Sequence, residues 1–311
     1  MSETHNVVYA VDGDYWMPLY VSIHSLVVNN PDTPLEIFVL HADREESFFD
    51  NVSRLTAEYE EVTVTGVEVD DGKIRDVPTP HWFTRANVYR FLMGRLLPLD
   101  GDSVLYLDCD TIVEGSLDVL FDTDLDGAVA AAVPEYKLRS YELGFPVDAL
   151  WYNAGVMYIN LGAWNAHDVE SRALDQLATR EDVTYPVQEG LNPVLNRDDL
   201  WQPLHPKFNA MTNWARVLAD ETDEQPVIVH YTGPEKPWHY RTDRRHKERW
   251  WHYLEQTPYS GYRPPDKTAT NRLLKTRKRA ASRSKQFVWN RLEGHPRLRQ
   301  SVATVYEFFV G

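Results

Sequence analysis

The chain has one cysteine, Cys109, among 311 residues, so no intrachain disulfide can form. The fold must be held by its core, and a reducing compartment suits it. No apolar run approaches the roughly 18 residues that a membrane-spanning helix needs. The opening residues, MSETHNVVYAVDGDYW, lack the basic and apolar regions of a signal peptide and pass directly into a strand-like run, so no cleaved leader is expected. No internal repeat is visible. Positive charge is scarce: 32 Lys and Arg face 47 Asp and Glu, for a net charge of −15. What there is gathers at the end, where residues 267–311 hold eleven Lys or Arg against two Glu. The rest is therefore more acidic than the total suggests, which excludes general binding to nucleic acid. An acidic, lysine-poor body suits either high salt or ordinary solubility.

Hydrophobic residues make up 43% of the chain, enough for a sizeable core. Apolar runs at 6–11 (NVVYAV) and 35–41 (LEIFVLH) and an alternating stretch at 62–69 read as strands. Between them, 15–30 and 43–60 carry apolar residues at helical spacing. This β-α-β-α-β order predicts a doubly wound, mostly parallel sheet flanked by helices. Residues 70–81 read as a loop and 83–97 as a helix ending at Pro98. Strands are expected at 104–107, 127–133 and 151–161, with a loop over 134–150. Helices are expected over 164–180 and 187–196, and a closing helix within 241–258. The basic end carries large apolar groups, among them Leu273, Leu274, Phe287 and Trp289. It reads as a basic helical tail over 266–311, following a single folded domain over 1–265, and it suits an anionic membrane surface.

The stretch with the clearest chemistry is SVLYLDCDTIVE, residues 103–114. It opens as an apolar strand, and Asp108 and Asp110 follow with one residue between them. In extended backbone, side chains two apart share a face. Two convergent carboxylates at a strand end call for a hard divalent cation. A surface turn with two solvated carboxylates is the plainer reading. Arg90, in the preceding helix, reaches either solvent or a ligand beside the pair. The tryptophans Trp201, Trp214 and Trp238 are either core or stacking surfaces for a ligand.

Five ordered blocks carry a resemblance: YAVDGDY (9–15), VYRFLMGRLLP (88–98), LYLDCDTIVEGSL (105–117), WYNAGVMYINLGAWN (151–165) and HYTGPEKPWHY (230–240). Together they resemble glycosyltransferase family 8, and within it the bacterial lipopolysaccharide α-galactosyltransferases, over residues 6–240. The resemblance implies a GT-A fold with a Rossmann-like sheet, and a retaining, metal-dependent transfer of a hexosyl group from a UDP-sugar to a glycan or glycolipid acceptor. It implies Asp108, Asp110 and His230 as ligands of Mn²⁺, with Mg²⁺ as the alternative. It puts Ala10, Asp12, Asp14 and Tyr15 at the nucleotide, with Asp12 on the uracil edge and Tyr15 stacked on the base. Gly233 and Lys236 fall at the diphosphate. Arg90, Asn153, Ala154 and Gln188 fall at the donor sugar, and Gln188 and Asp108 lie nearest the reaction. Cys109 is expected to point away from the metal.

One segment departs from the family pattern. Where relatives read Asp-Gln-Asp, this chain reads Val187-Gln188-Glu189. A methyl surface cannot pair with a sugar hydroxyl, so either the donor differs or a carboxylate such as Glu189 takes over. Rival readings are a nucleotidyltransferase with the same metal chemistry, a non-catalytic nucleotide-sugar-binding relative, and a phosphatase with its nucleophile in the same D-x-D spacing. The expected location is the cytoplasm, peripheral on the inner face of the cell membrane.

Overall fold

The computed structural model describes residues 3–74, 77, 84–99, 101–135, 150–180, 183–212 and 225–277. The chain opens with β1 (His5–Val11), α1 (Trp16–Asn29), β2 (Leu35–His41), α2 (Glu46–Thr56) and β3 (Val62–Glu68). The short helices α3 (Ala86–Tyr89) and α4 (Met93–Leu96) lead to β4 (Ser103–Leu107) and β5 (Thr111–Val113). Next come α5 (Asp118–Phe121), β6 (Ala130–Pro134), β7 (Tyr152–Asn160), α6 (Leu161–Ala166), α7 (Val169–Ala178) and α8 (Pro186–Arg197). The series closes with β8 (Trp201–Pro203), β9 (Ala210–Met211), β10 (Ile228–His230) and α9 (Lys247–Leu254).

Seven strands form one sheet in the order β3-β2-β1-β4-β7-β6-β8, and β5, β10 and β9 form a second, small one. In the large sheet β1 pairs parallel with β2 and β4, and β2 with β3. β7 runs antiparallel between β4 and β6, and β8 lies parallel to β6. The sheet is thus mostly parallel, as the strand-helix alternation predicts. Its inner strands β1, β2, β4, β6 and β7 are buried on both faces, which is why they read as unbroken apolar runs, while β3 at the edge alternates between buried and exposed. In β1, Val8 and Ala10 enter one core cluster, while Val7, Tyr9 and Val11 enter the other.

Two helices differ from expectation. The one expected over 164–180 is two, because Asp168 takes a left-handed conformation (φ 51°) between α6 and α7. The one expected over 83–97 keeps helical dihedrals but tightens to a 3₁₀ turn over Arg90–Leu92 between α3 and α4. Residues 81–83 lie outside the described residues, as does most of the loop expected over 134–150.

By compactness the chain falls into two units, residues 1–237 with 244–261, and residues 238–243 with 262–311. In the second, the Tyr240 N–H donates to Asp266 Oδ1 (2.8 Å), and Lys275 donates to the Tyr240 carbonyl. Of the basic tail expected to be helical, residues 269–277 form a helix, while 278–311, with Phe287 and Trp289, lie outside the described residues. Among the described residues no helix is long and apolar enough to cross a membrane.

Asn30, buried at the end of α1, ties that helix to the chain beyond β5. Its Nδ2 donates to the Leu26 carbonyl (2.9 Å), and its Oδ1 accepts from the Leu117 N–H (2.9 Å). Asn30→Ala leaves that N–H buried without a partner. Urea unfolding should show a loss of about 1–3 kcal/mol.

Candidate active site

The aspartate pair lies just beyond the end of β4, but not in extended backbone as expected. The strand ladder makes one more bond, Asp108 N–H to the Gly155 carbonyl (2.8 Å), and the chain then turns. The Thr111 N–H donates to the Asp108 carbonyl (3.1 Å), and so does the Thr111 hydroxyl (2.8 Å). The turn, not the strand period, brings the two carboxylates together. A polar stripe on buried α1 braces it. The Ser22 and Thr111 hydroxyls share a hydrogen bond (3.0 Å), the Val113 N–H donates to Ser25 Oγ (2.9 Å), and Asn29 Nδ2 donates to the Val113 carbonyl (3.0 Å). Between the two aspartates, the Cys109 thiol points away and donates to the Ala10 carbonyl (3.1 Å). Burial, then the charges of Asp108, Asp110 and Asp12, push its pKa well up, so it stays a thiol.

Three other stretches bring groups to this turn. From the 3₁₀ segment, buried Arg90 donates from Nη2 to Asp108 Oδ1 (2.7 Å) and from Nη1 to the Ala154 carbonyl (2.6 Å). Burial opposes the Arg90 charge, but Asp108 outweighs it and holds the pKa above the ordinary arginine value. The Tyr106 hydroxyl donates to the same Asp108 oxygen (3.2 Å). From the end of β10, His230 Nε2 lies 3.2 Å from Asp110 Oδ1 and 3.6 Å from Asp108 Oδ2. From the loop beyond it, Lys236 donates to Asp110 Oδ2 and to the Tyr231 carbonyl (3.0 Å). Burial raises the Asp110 pKa, yet Lys236 and His230 together hold it far below the carboxylate range. One ligand-type atom from each of Asp108, Asp110 and His230 lies within 4.8 Å of the other two.

Behind the cluster runs a ladder of side-chain amides. Asn153 Oδ1 accepts from the Gly155 N–H (3.0 Å) and from Asn209 Nδ2 (3.0 Å). Asn209 Oδ1 in turn sits 2.9 Å from His230 Nδ1. At the other end, Glu135 Oε2 accepts from Asn153 Nδ2 (3.0 Å) and from Gln188 Nε2 (3.1 Å).

The nucleotide candidates lie on the chain leaving β1. Asp12 Oδ2 accepts from the Ala86 N–H (3.1 Å), while its Oδ1 is buried without a hydrogen-bond partner. Tyr15 shares the site's field: burial first, then the charges of Asp110, Cys109, Asp108 and Asp12, push its pKa up. Asp14 is exposed in the 3₁₀ turn before α1. Gly233, three residues before Lys236, has φ +83°, where a side chain is strained.

The segment that departs from the family pattern, Val187-Gln188-Glu189, lies at the start of α8. Val187 is buried in the apolar core. Glu189 does not turn toward the site: its Oε1 accepts from the Thr184 and Tyr185 N–H groups (3.0 and 2.9 Å), capping the start of α8. Trp201 is core, stacked on Tyr152 at 4.9 Å, and Trp214 lies outside the described residues. Trp238 is buried.

Three neighbours of the cluster had no role in the sequence reading. Glu135 fell in a stretch read as loop, and Asn209 carried no motif. Gly155 did carry a signal, because a glycine inside a buried strand marks close approach. A Cβ there would lie 2.2 Å from His230 Cε1 and 2.6 Å from Asp108 Oδ2.

A sheet of this order, with carboxylates, an imidazole and two buried cations at one strand end, defines a class of sugar-transferring enzyme. A family model described as "Glycosyl transferase family 8" matches residues 6–242, and the chain belongs to that family; it is a glycosyltransferase. Similar proteins include a lipopolysaccharide 1,2-glucosyltransferase of Escherichia coli (strain K12), 31% identical over 252 residues, covering 76% of this chain and 74% of that one. A lipopolysaccharide 1,3-galactosyltransferase of Salmonella typhimurium is 29% identical over 257 residues, with 76% and 74% covered. Among solved structures, the galactosyltransferase LgtC in complex with donor and acceptor sugar analogues aligns with TM-score 0.72 and 26% identity, over 84% of this chain and 98% of that one. A glutamine-to-glutamate active-site mutant of LgtC aligns with the same TM-score, 0.72, at 25% identity and the same coverage, 84% and 98%. The fold is of the GT-A type, as the resemblance implied.

Gly155→Ala should displace His230 or Asp108 while leaving the sheet intact. Transferase activity should fall by about 10²-fold, with an unchanged far-ultraviolet circular dichroism spectrum.

Proposed function

We propose that the chain transfers a hexosyl group from a UDP-sugar to a glycan or glycolipid acceptor, with retention of configuration, and that Asp108, Asp110 and His230 hold the divalent cation this needs. The observation that carries the proposal is the convergence of those three groups, with Lys236 and Arg90 beside them, at one end of β4. Two carboxylates and an imidazole make a mixed oxygen and nitrogen site, better suited to Mn²⁺ than to Mg²⁺. When bound, such a cation supplies Lewis-acid stabilisation to the departing diphosphate.

The chain's own residues do the rest. The unpartnered Asp12 oxygen accepts from the imide N–H of uracil, Tyr15 stacks on the base, and Ala10 and Asp14 complete that pocket. Lys236 neutralises charge that gathers on the diphosphate, and Gly233 lets the backbone approach it closely. Asn153 accepts twice and donates once within the protein, which leaves one amide hydrogen for a sugar hydroxyl. Arg90 donates to the Asn87 and Ala154 carbonyls and to Asp108, all inside the protein. It shapes the sugar pocket by holding Asp108 and the Ala154 carbonyl. Gln188 donates to Glu135 and is the polar side chain beneath the anomeric carbon. An amide is a poor nucleophile, so transfer proceeds on one face, with the departing phosphate helping to deprotonate the acceptor. That solved LgtC structures include an active-site glutamine mutant supports a glutamine in this role.

With Val187 in the core and Glu189 capping α8, the donor differs from galactose at the hydroxyl that relatives meet with an aspartate. The basic tail holds the enzyme at an anionic membrane surface where the acceptor lies.

UDP release from a panel of UDP-sugars, with Mn²⁺ and with chelator, tests these statements. Release is expected with Mn²⁺, lost with chelator, and Gln188→Ala should retain measurable activity. Production of pyrophosphate, or a clear preference for UDP-galactose over all other donors, counts against the corresponding part. Truncation at Pro265 should release the protein from anionic vesicles, and equal binding with and without the tail sinks the membrane reading.

A further inference from the structure

His230 has two ring nitrogens, and a metal ligand must present a lone pair on one of them. Which nitrogen carries the proton is set by what the other meets. Here the answer can be traced back to a backbone amide that has no choice. The Gly155 N–H donates to Asn153 Oδ1, so that atom is the carbonyl oxygen and the other is the NH₂ group, consistent with its donation to the Glu135 carboxylate (3.0 Å). Because Asn153 Oδ1 is an acceptor, the Asn209 atom 3.0 Å from it is the NH₂ group. The Asn209 atom facing His230 Nδ1 at 2.9 Å is therefore its carbonyl oxygen, which can only accept. Nδ1 must carry a proton, and Nε2, 3.2 Å from Asp110 and 3.6 Å from Asp108, is left to present its lone pair to a cation.

We infer that Asn209 is the positioning residue of the metal centre: it fixes the tautomer and ring plane of His230 through a ladder whose ends are the Gly155 backbone amide and the Glu135 carboxylate. Asn209 is fully buried, so it acts on the site through its neighbours and not by meeting substrate itself. The same ladder passes through Glu135 to the Gln188 amide, so one hydrogen-bonded chain orients both the imidazole at the metal end and the amide at the sugar end. A ligand histidine whose second nitrogen is held by an acceptor is a more basic and better aimed donor, and losing such a partner typically costs 10–100-fold in metal affinity.

The inference rests on the proposed metal site, and the test separates the two. Mn²⁺ uptake by the full chain in the presence of UDP is followed by electron paramagnetic resonance for the wild type, Asn209→Leu and Asn209→Asp. Asn209→Leu fills the space without an acceptor and should weaken Mn²⁺ binding by about 10–100-fold. Asn209→Asp keeps an oxygen facing Nδ1 but loses the donor to Asn153, and should bind Mn²⁺ closer to the wild type than to the leucine variant. Melting temperatures without metal report whether each variant folds, and the aspartate variant decides the matter if the leucine variant does not. Wild-type affinity in Asn209→Leu, or equal loss in both variants, overturns the role of Asn209 alone. A wild type that takes up no Mn²⁺ overturns the metal reading beneath it.

Discussion

The structure is organised around the cost of keeping Asp108 and Asp110 together at the end of β4, a central strand of a buried sheet. Two like charges about 4 Å apart repel by about 4 kcal/mol at an effective dielectric constant near 20, before desolvation is counted. The chain meets that cost by drawing opposite charge from stretches far apart in sequence. Arg90 arrives from the helix before β4 and takes Asp108. His230 and Lys236 arrive from the end of β10 and take Asp110. Each partner requires a different part of the fold to be in place, so the carboxylates couple the small sheet to the large one.

β7 carries the tightest constraint. It must pair with β4 and β6 along its length, which favours side chains that pack, yet at Gly155 it can carry none. Asn153 and Gly155 lie two apart and so share the face toward His230, one supplying an amide and the other an absence. Ala154 sits between them, its methyl in the core and its carbonyl accepting from Arg90. Three consecutive residues thus serve the site with a side chain, a carbonyl and the lack of a Cβ.

The strand runs, the sheet class and the aspartate pair were legible in the sequence because each rests on a local signal: unbroken apolar runs for doubly buried strands, and two acids after one of them. The geometry joining the pair was not, since a turn closed by Thr111 gives the same D-x-D spacing as extended backbone. The split between α6 and α7 was hidden because aspartate is common in helices and only its dihedral reveals the break. Glu135 and Asn209 were beyond reach for a different reason. Their partners lie 18 and 53 residues away for the glutamate, and 56 and 21 for the asparagine, so nothing in the neighbouring sequence marks them.

The start of α8 offers the site only one of three successive side chains. Successive residues in a helix point about 100° apart, so Val187, Gln188 and Glu189 face three directions. Val187 faces the core, Glu189 turns back to cap its own helix, and Gln188 is left for the site. A helix with a carboxylate at the first of these positions would have to present it to the donor or bury it unpaired. With valine the same position strengthens the core instead. On the proposed function, the exchange moves binding energy from the donor pocket to the fold and leaves Gln188 as this helix's hold on the transferred sugar.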